Sequence, residues 1–114
     1  MATKANPNVT DIIAATGIEL LTDDDTLNFF AHDVFERGAA LLAVVRPKNK
    51  EELAAAVAAA TSQNITVIPR GGGMSYTGGY ISNEPGAILF DLAAMDRILD
   101  INETDMTVTV EAGC

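Results

Sequence analysis

The chain has 114 residues, a hydrophobic content of 48%, a charged content of 20% and a formal net charge of −9. That length allows one modest domain, and the apolar content is that of a folded chain rather than a disordered one. The negative charge disfavours sequence-independent binding to nucleic acid, which depends on lysine and arginine neutralising phosphates, and equally disfavours an anionic membrane surface.

Residues 1–8 read as a loose polar tail, and Met1 to Thr10 contain no apolar segment of the kind a signal peptide needs. Val9, Ile12 and Ile13 stand at helical spacing, on a stripe narrowed by Thr16. Gly17 is placed to end that short helix and Ile18 to pack back on it. Thr22-Asp23-Asp24-Asp25 is read as a solvated turn or the charged start of a helix, where acids meet the positive end of the dipole. No further ligands follow at the spacing of a calcium loop, and no metal site is predicted. His32, the single histidine, is expected to have a surface or helix-packing role.

Leu41 to Val45 is an unbroken apolar run stopped by Arg46-Pro47, the pattern of a strand covered on both faces. Asn49 with Glu52 three residues on predicts a capping box. Leu53, Ala56, Val57 and Ala60 then recur at helical spacing, and small alanines let this helix lie close to a sheet. The stretch Leu53 to Ala60 is far too short to span a bilayer. Gln63-Asn64 ends the helix, and Ile65 to Ile68 is the next strand. Together these segments make a strand–helix–strand unit, whose strands are parallel and whose crossover is right-handed. Strands follow at Ala87 to Phe90, Ile98 to Ile101 and Met106 to Glu111, the last two antiparallel with a turn at Asn102 to Asp105. Cys114 is the one cysteine, so no internal disulfide and no cysteine metal site can form, and a cytoplasmic location is the default.

The most informative segment lies at the carboxyl end of the second parallel strand, where ligands of open sheets tend to sit. Five of the nine glycines fall in residues 71–79. Glycine reaches positive φ at no steric cost and lets a backbone approach a ligand, and successive N–H groups in such a turn can converge on an anion. A phosphate held by local main-chain donors is therefore expected. The loop lacks the Gly-Lys-Ser/Thr ending of a P-loop, which disfavours triphosphate hydrolysis. Gly71-Gly72-Gly73 contains a Gly-x-Gly pair, but Tyr76 occupies the third glycine position of the dinucleotide fingerprint, which disfavours a Rossmann site.

Pro69-Arg70-Gly71-Gly72-Gly73-Met74-Ser75-Tyr76-Thr77-Gly78-Gly79 resembles the pyrophosphate-binding loop of FAD-linked oxidases, the flavoproteins of the vanillyl-alcohol oxidase and p-cresol methylhydroxylase (PCMH) type. Three neighbouring stretches are similar to that family in order and spacing: Ala43 to Pro47 with Glu51-Glu52-Leu53, Ile88 to Leu92 with Met95 to Ile98, and Thr107 to Gly113. The resemblance implies an α+β fold, a βαβ unit plus further strands forming the first subdomain of a PCMH-type FAD-binding domain. It divides the chain into an amino-terminal helical extension, 1–37, and the first, incomplete part of the FAD-binding domain, 38–114. It implies FAD as cofactor, with its diphosphate at Arg70, Gly71, Gly72, Gly73, Met74, Ser75, Tyr76, Gly78 and Gly79. Arg70 would add charge or sit as a surface arginine at a strand end. Ser75 would donate a hydroxyl hydrogen bond or satisfy its own turn. Tyr76 would pack on the cofactor or fill a core gap. Some relatives carry a histidine at the position of Met74 that bonds covalently to the flavin; methionine cannot, so no covalent link is expected there.

The implied activity is oxidation of an alcohol, 2-hydroxy acid or phenolic substrate by hydride transfer to FAD. A small-molecule substrate, the remainder of the flavin domain and a substrate domain are the expected partners, with nucleic acid and membrane excluded. No catalytic residue is assigned, and residues 1–114 alone are expected to bind FAD weakly and to be inactive. The alternative is a non-catalytic α/β module binding an anionic ligand or a protein. Under the flavin reading, Gly72→Val blocks the approach of the backbone and strains the loop.

Overall fold

A computed structural model of the chain describes residues 9–32, 37–74 and 79–114. Helix α1 (Val9–Ala15) buries Val9 and Ile13. It ends at Gly17, whose φ of 84° no side-chain-bearing residue adopts cheaply, and Ile18 packs back into the core as expected. Strand β1 (Glu19–Leu21) follows, then helix α2 (Asp24–Phe30). The acidic run is the start of α2. The Asp23 carboxylate caps the helix by accepting from the Thr26 N–H at 3.0 Å and from its hydroxyl at 2.8 Å. Those two bonds hold its pKa below the usual carboxylate range.

Strand β2 (Leu41–Arg46) leads into helix α3 (Lys50–Ser62), and strand β3 (Val67–Arg70) returns. Asn49 caps α3 by accepting from the Glu52 N–H at 2.8 Å. Glu52 reaches back one residue further than a strict capping box, accepting from the Lys48 N–H at 2.9 Å. Strand β3 begins two residues later than the sequence pattern suggests. The Ile65 N–H still bonds the Ala60 carbonyl, which ties residue 65 to the helix end and leaves Asn64 at a φ of 58°. Strand β4 (Ala87–Asp91) follows, and the hairpin of β5 (Ile98–Asn102) and β6 (Thr107–Val110) closes the described chain.

The main sheet has the order β1-β2-β4-β3. Strands β2 and β3 are parallel, as the crossover requires, but they do not touch: β4 enters between them and pairs in parallel with both. Strand β1 pairs antiparallel with β2 on the opposite flank. Every residue of β4 is buried, and its side chains alternate cleanly. Ile88 and Phe90 meet α1 and α3, whereas Ala87 and Leu89 meet Phe30, Ile68 and Tyr80 on the α2 side. A register shift between Leu41 and Ala43 explains why Leu42 and Ala43 share one face of β2.

Pro69 lies in β3, an edge strand of the sheet among the described residues, which is where a sheet tolerates proline. The Ile88 N–H donates to the Thr66 carbonyl and the Leu92 N–H to the Arg70 carbonyl. In a parallel ladder, backbone groups of alternate residues face the same neighbour, so Ile68 also faces β4 while Val67 and Pro69 turn outward. The N–H that proline lacks would therefore have pointed away from the sheet.

Candidate functional site

The period of two along β3 decides the surroundings of the glycine loop. Val67 and Pro69 point to the α3 side, where with Leu53, Val57, Phe90 and Leu92 they line an apolar cavity of about 230 Å³. That cavity presents no polar group and does not suit a phosphate. Ile68 and Arg70 point to the α2 side. There the guanidinium carbon of Arg70 lies 4.6 Å from the ring centroid of Phe30, 5.0 Å from that of Tyr80 and 5.4 Å from that of Phe29. The two phenylalanine rings meet edge to face, 5.0 Å apart at 88°.

Directly after β3 the chain turns through Gly71, Gly72 and Gly73. Gly73 has a φ of 75°, and a Cβ there would collide with Nη2 of Arg70. Its carbonyl accepts a hydrogen bond from the Tyr80 hydroxyl at 2.8 Å. Among the described residues nothing lies within 4 Å of where a side chain on Gly72 would start, and Gly72 has no positive φ. The dihedral strain expected at Gly72 thus belongs to Gly73, and only the steric part of that expectation applies to Gly72. A Cβ on Gly71 would stand 3.0 Å from the Ala112 carbonyl. Among the described residues, no hydrogen bond uses the N–H groups of Gly71, Gly72 or Gly73. These adjacent main-chain donors, with open space over Gly72, are what an anion needs.

The wall behind the loop is built from the ends of β4 and β6. Asp91, the buried last residue of β4, accepts from Nε of Arg46 at 2.9 Å and from the Ala93 N–H at 3.1 Å. Arg46 also reaches Glu19 of β1 at 3.0 Å, so one guanidinium spans β1, β2 and β4. The segment after β6 lies against residues 92–95. The Gly113 N–H donates to the Met95 carbonyl at 2.9 Å, and a Cβ on Gly113 would overlap the Leu92 carbonyl. Glu111 accepts from the Arg97 N–H at 3.0 Å and from its guanidinium at 3.1 and 2.9 Å. Those bonds, the guanidinium ones first, hold the Glu111 carboxyl below its usual range.

Of the residues that the sequence nominates, Arg70, Gly71, Gly72 and Gly73 form one turn, Met74 leaves it with an exposed side chain, and Gly79 lies at the return of the loop. Ser75, Tyr76 and Gly78 lie outside the described residues. Sequence reasoning missed Phe29, Phe30, Tyr80, Ala112 and Gly113. The alternation of β3 was the available signal for Arg70, since it places that side chain on the face of Ile68. His32 is exposed and fixed locally, its Nδ1–H donating to the Asn28 carbonyl at 2.8 Å while Nε2 accepts from Arg37 at 3.3 Å. Among the described residues, no three His, Cys, Asp or Glu side chains gather as metal ligands, and no helix is long and apolar enough to cross a membrane.

A sheet parallel in all but β1, with a glycine turn at the end of its strand β3 and helices on both faces, gives the chain an α+β architecture. The model of the FAD binding domain family matches residues 41–114, and the chain belongs to that family. Its cofactor is FAD. The chain is 32% identical over 101 residues to D-2-hydroxyglutarate dehydrogenase of Xanthomonas citri pv. viticola, covering 88% of this chain and 21% of that protein. It is also 32% identical over 71 residues to glycolate oxidase subunit GlcD of Bacillus subtilis, covering 62% of this chain and 15% of that one. It thus spans about a fifth or less of the length of these relatives. Among solved structures, alkyldihydroxyacetonephosphate synthase superposes with a TM-score of 0.77 at 22% identity, over 92% of this chain and 22% of that one. Glucooligosaccharide oxidase from Acremonium strictum, described with a 6-S-cysteinyl, 8α-N1-histidyl FAD, superposes with a TM-score of 0.74 at 23% identity, over 94% of this chain and 22% of its own. These likenesses establish the fold as that of PCMH-type FAD-binding domains.

Proposed function

We propose that the loop from Arg70 to Gly79 receives the diphosphate of FAD, and that the protein is a flavin-dependent oxidoreductase acting on a 2-hydroxy acid, an alcohol or a phenol. The observation that carries this reading is the set of N–H groups on Gly71, Gly72 and Gly73 without an acceptor among the described residues, beside the open space at Gly72. The donors fit a diphosphate because their dipoles supply the attraction that a chain of net charge −9 does not. A 2-hydroxy acid stands first among the substrate classes because D-2-hydroxyglutarate and glycolate, named in two relatives, are both 2-hydroxy acids. Bound FAD supplies the redox chemistry, and the described residues supply binding and orientation.

Ser75, Tyr76 and Gly78 belong to this proposed site by their place in the loop. Residues 1–37 form an amino-terminal extension and 38–114 the first part of the flavin domain. A cytoplasmic setting and a small-molecule substrate complete the proposal. Methionine at position 74 leaves the flavin untethered there, so denaturing the protein releases flavin from any peptide containing Met74.

Flavin absorbance of the purified protein tests the reading, and Gly72→Val tests the placement. Because Gly72 has no neighbour within contact among the described residues and no positive φ, the variant keeps its fold. The β-branched side chain stands where the ligand must approach, and FAD affinity falls by at least about tenfold, which corresponds to ~1.4 kcal/mol. Both measurements use the full-length protein that carries these residues: a colourless wild type that takes up no FAD overturns the function, and full flavin occupancy in the variant overturns the site.

A further inference from the structure

We propose that Arg70 is a positioning residue for the glycine loop, locked in a three-ring cage by Phe29, Phe30 and Tyr80, and that it shapes the loop without itself touching the bound diphosphate. The inference rests on the placement of the FAD diphosphate at this loop. It assigns a role in the cofactor site to helix α2, which lies before the residues matched by the family model, 41–114.

An arginine beside a phosphate-binding turn invites the assumption of a direct ion pair. The geometry points elsewhere. The period of β3 sends the Arg70 side chain to the α2 face, and its guanidinium lies within 5.4 Å of three ring centroids, well inside cation–π range. Nη1 is buried with no hydrogen-bond partner among the described residues. A buried unpaired donor is costly. Ring faces are the groups that offset it here.

The cage also holds the loop at two points. The Tyr80 hydroxyl donates to the Gly73 carbonyl at 2.8 Å, and Nη2 of Arg70 occupies the volume that a side chain on Gly73 would fill. Gly73 thus wraps over the guanidinium with a φ of 75°, the conformation that sets the directions of the neighbouring N–H groups. A guanidinium drawn out to a phosphate would abandon three rings and leave a void beneath Gly73.

The test compares the wild-type full chain with Arg70→Lys, Phe30→Leu and their combination. Phe29→Leu is added as a variant that spares the core, because Phe29 is 64% exposed. Lysine keeps the charge but not the planar stacking. The expected result is that Arg70→Lys and Phe30→Leu each weaken FAD binding by about tenfold, and that the double variant is no worse than the weaker single, since both remove one shared element. Phe29→Leu shifts affinity in the same direction by less. In the FAD-free protein, amide exchange at residues 70–74 accelerates in all four variants. The ring-current-shifted Nε proton resonance of Arg70 moves toward its ordinary position in Phe30→Leu.

The proposal is overturned if Arg70→Lys retains wild-type FAD affinity, or if Phe30→Leu and Phe29→Leu leave both affinity and exchange unchanged. Additive losses in the double variant also overturn it, in favour of a direct phosphate contact. If the full-length wild-type protein that carries these residues takes up no FAD, the cofactor reading fails; unchanged exchange and an unshifted Nε signal are the separate outcomes that would sink the cage.

Discussion

The two β-structures of this molecule both carry large apolar side chains and meet opposite fates. Strand β4 is buried at every position, with Leu89 and Ile88 fully enclosed between helices on both faces. The β5–β6 hairpin leaves Ile98, Leu99, Ile101, Val108 and Val110 exposed, each between 42% and 66%. The difference is one of coverage: helices α1, α2 and α3 pack on the main sheet, and no described element packs on the hairpin. Hydrophobic strands therefore contribute stability here only where a second layer meets them, because the gain scales with area removed from water. The glycine turn sits where the two regions join, between Arg70 and Ala112, so its shape depends on both.

The sharpest test of this contrast pairs Leu89→Ala with Ile101→Thr. Leu89→Ala creates a cavity in the covered sheet and costs about 3 kcal/mol in a urea melt. A value below about 1 kcal/mol would show the main sheet to be far looser than its burial indicates. Next in size is the junction. Gly113→Ala drives a methyl group into the Leu92 carbonyl and costs about 2 kcal/mol, together with a loss of protection in the hairpin amides. Unchanged hairpin exchange would mean that the hairpin is held by other contacts.

The Arg97–Glu111 pair gives a smaller, pH-dependent effect. The folded-state pKa of Glu111 lies below its ordinary value of 4.5, so the pair stabilises fully above that value and is lost as pH falls through the folded one. Glu111→Gln flattens the thermal midpoint across that acid window and leaves its slope above pH 6 unchanged. A wild-type midpoint that does not fall on acidification more steeply than that of the variant contradicts the pair's contribution. Smallest of all is Ile101→Thr, expected within about 0.5 kcal/mol of wild type for residues 1–114 because no described element covers that side chain.

What the sequence made legible was local. Gly17, the Asn49 cap and the 102–105 turn each depend on residues within a few positions, and each stands where the pattern puts it. Asn102 and Asp105 even share their turn bonds, the Asp105 N–H donating to the Asn102 side chain at 3.0 Å. Strand β1, three residues long, is too short for a period of two to declare itself. The insertion of β4 between β2 and β3 is a long-range choice that no segment encodes alone. The same division holds at the site. The glycine turn could be read from its composition, whereas the contact of Arg70 with Phe29 and Phe30 spans some forty residues of chain and follows from how α2 packs on the sheet.

Pro69 has a consequence for the molecule in solution. An open strand edge is a template on which another chain can dock its backbone, and among the described residues β3 is such an edge. The missing donor at its centre breaks the ladder that an incoming strand would need. The proline thus guards against self-association in the residue immediately before the turn that must stay accessible to a ligand. Replacing it with valine should make the protein's sedimentation concentration-dependent without altering its secondary structure.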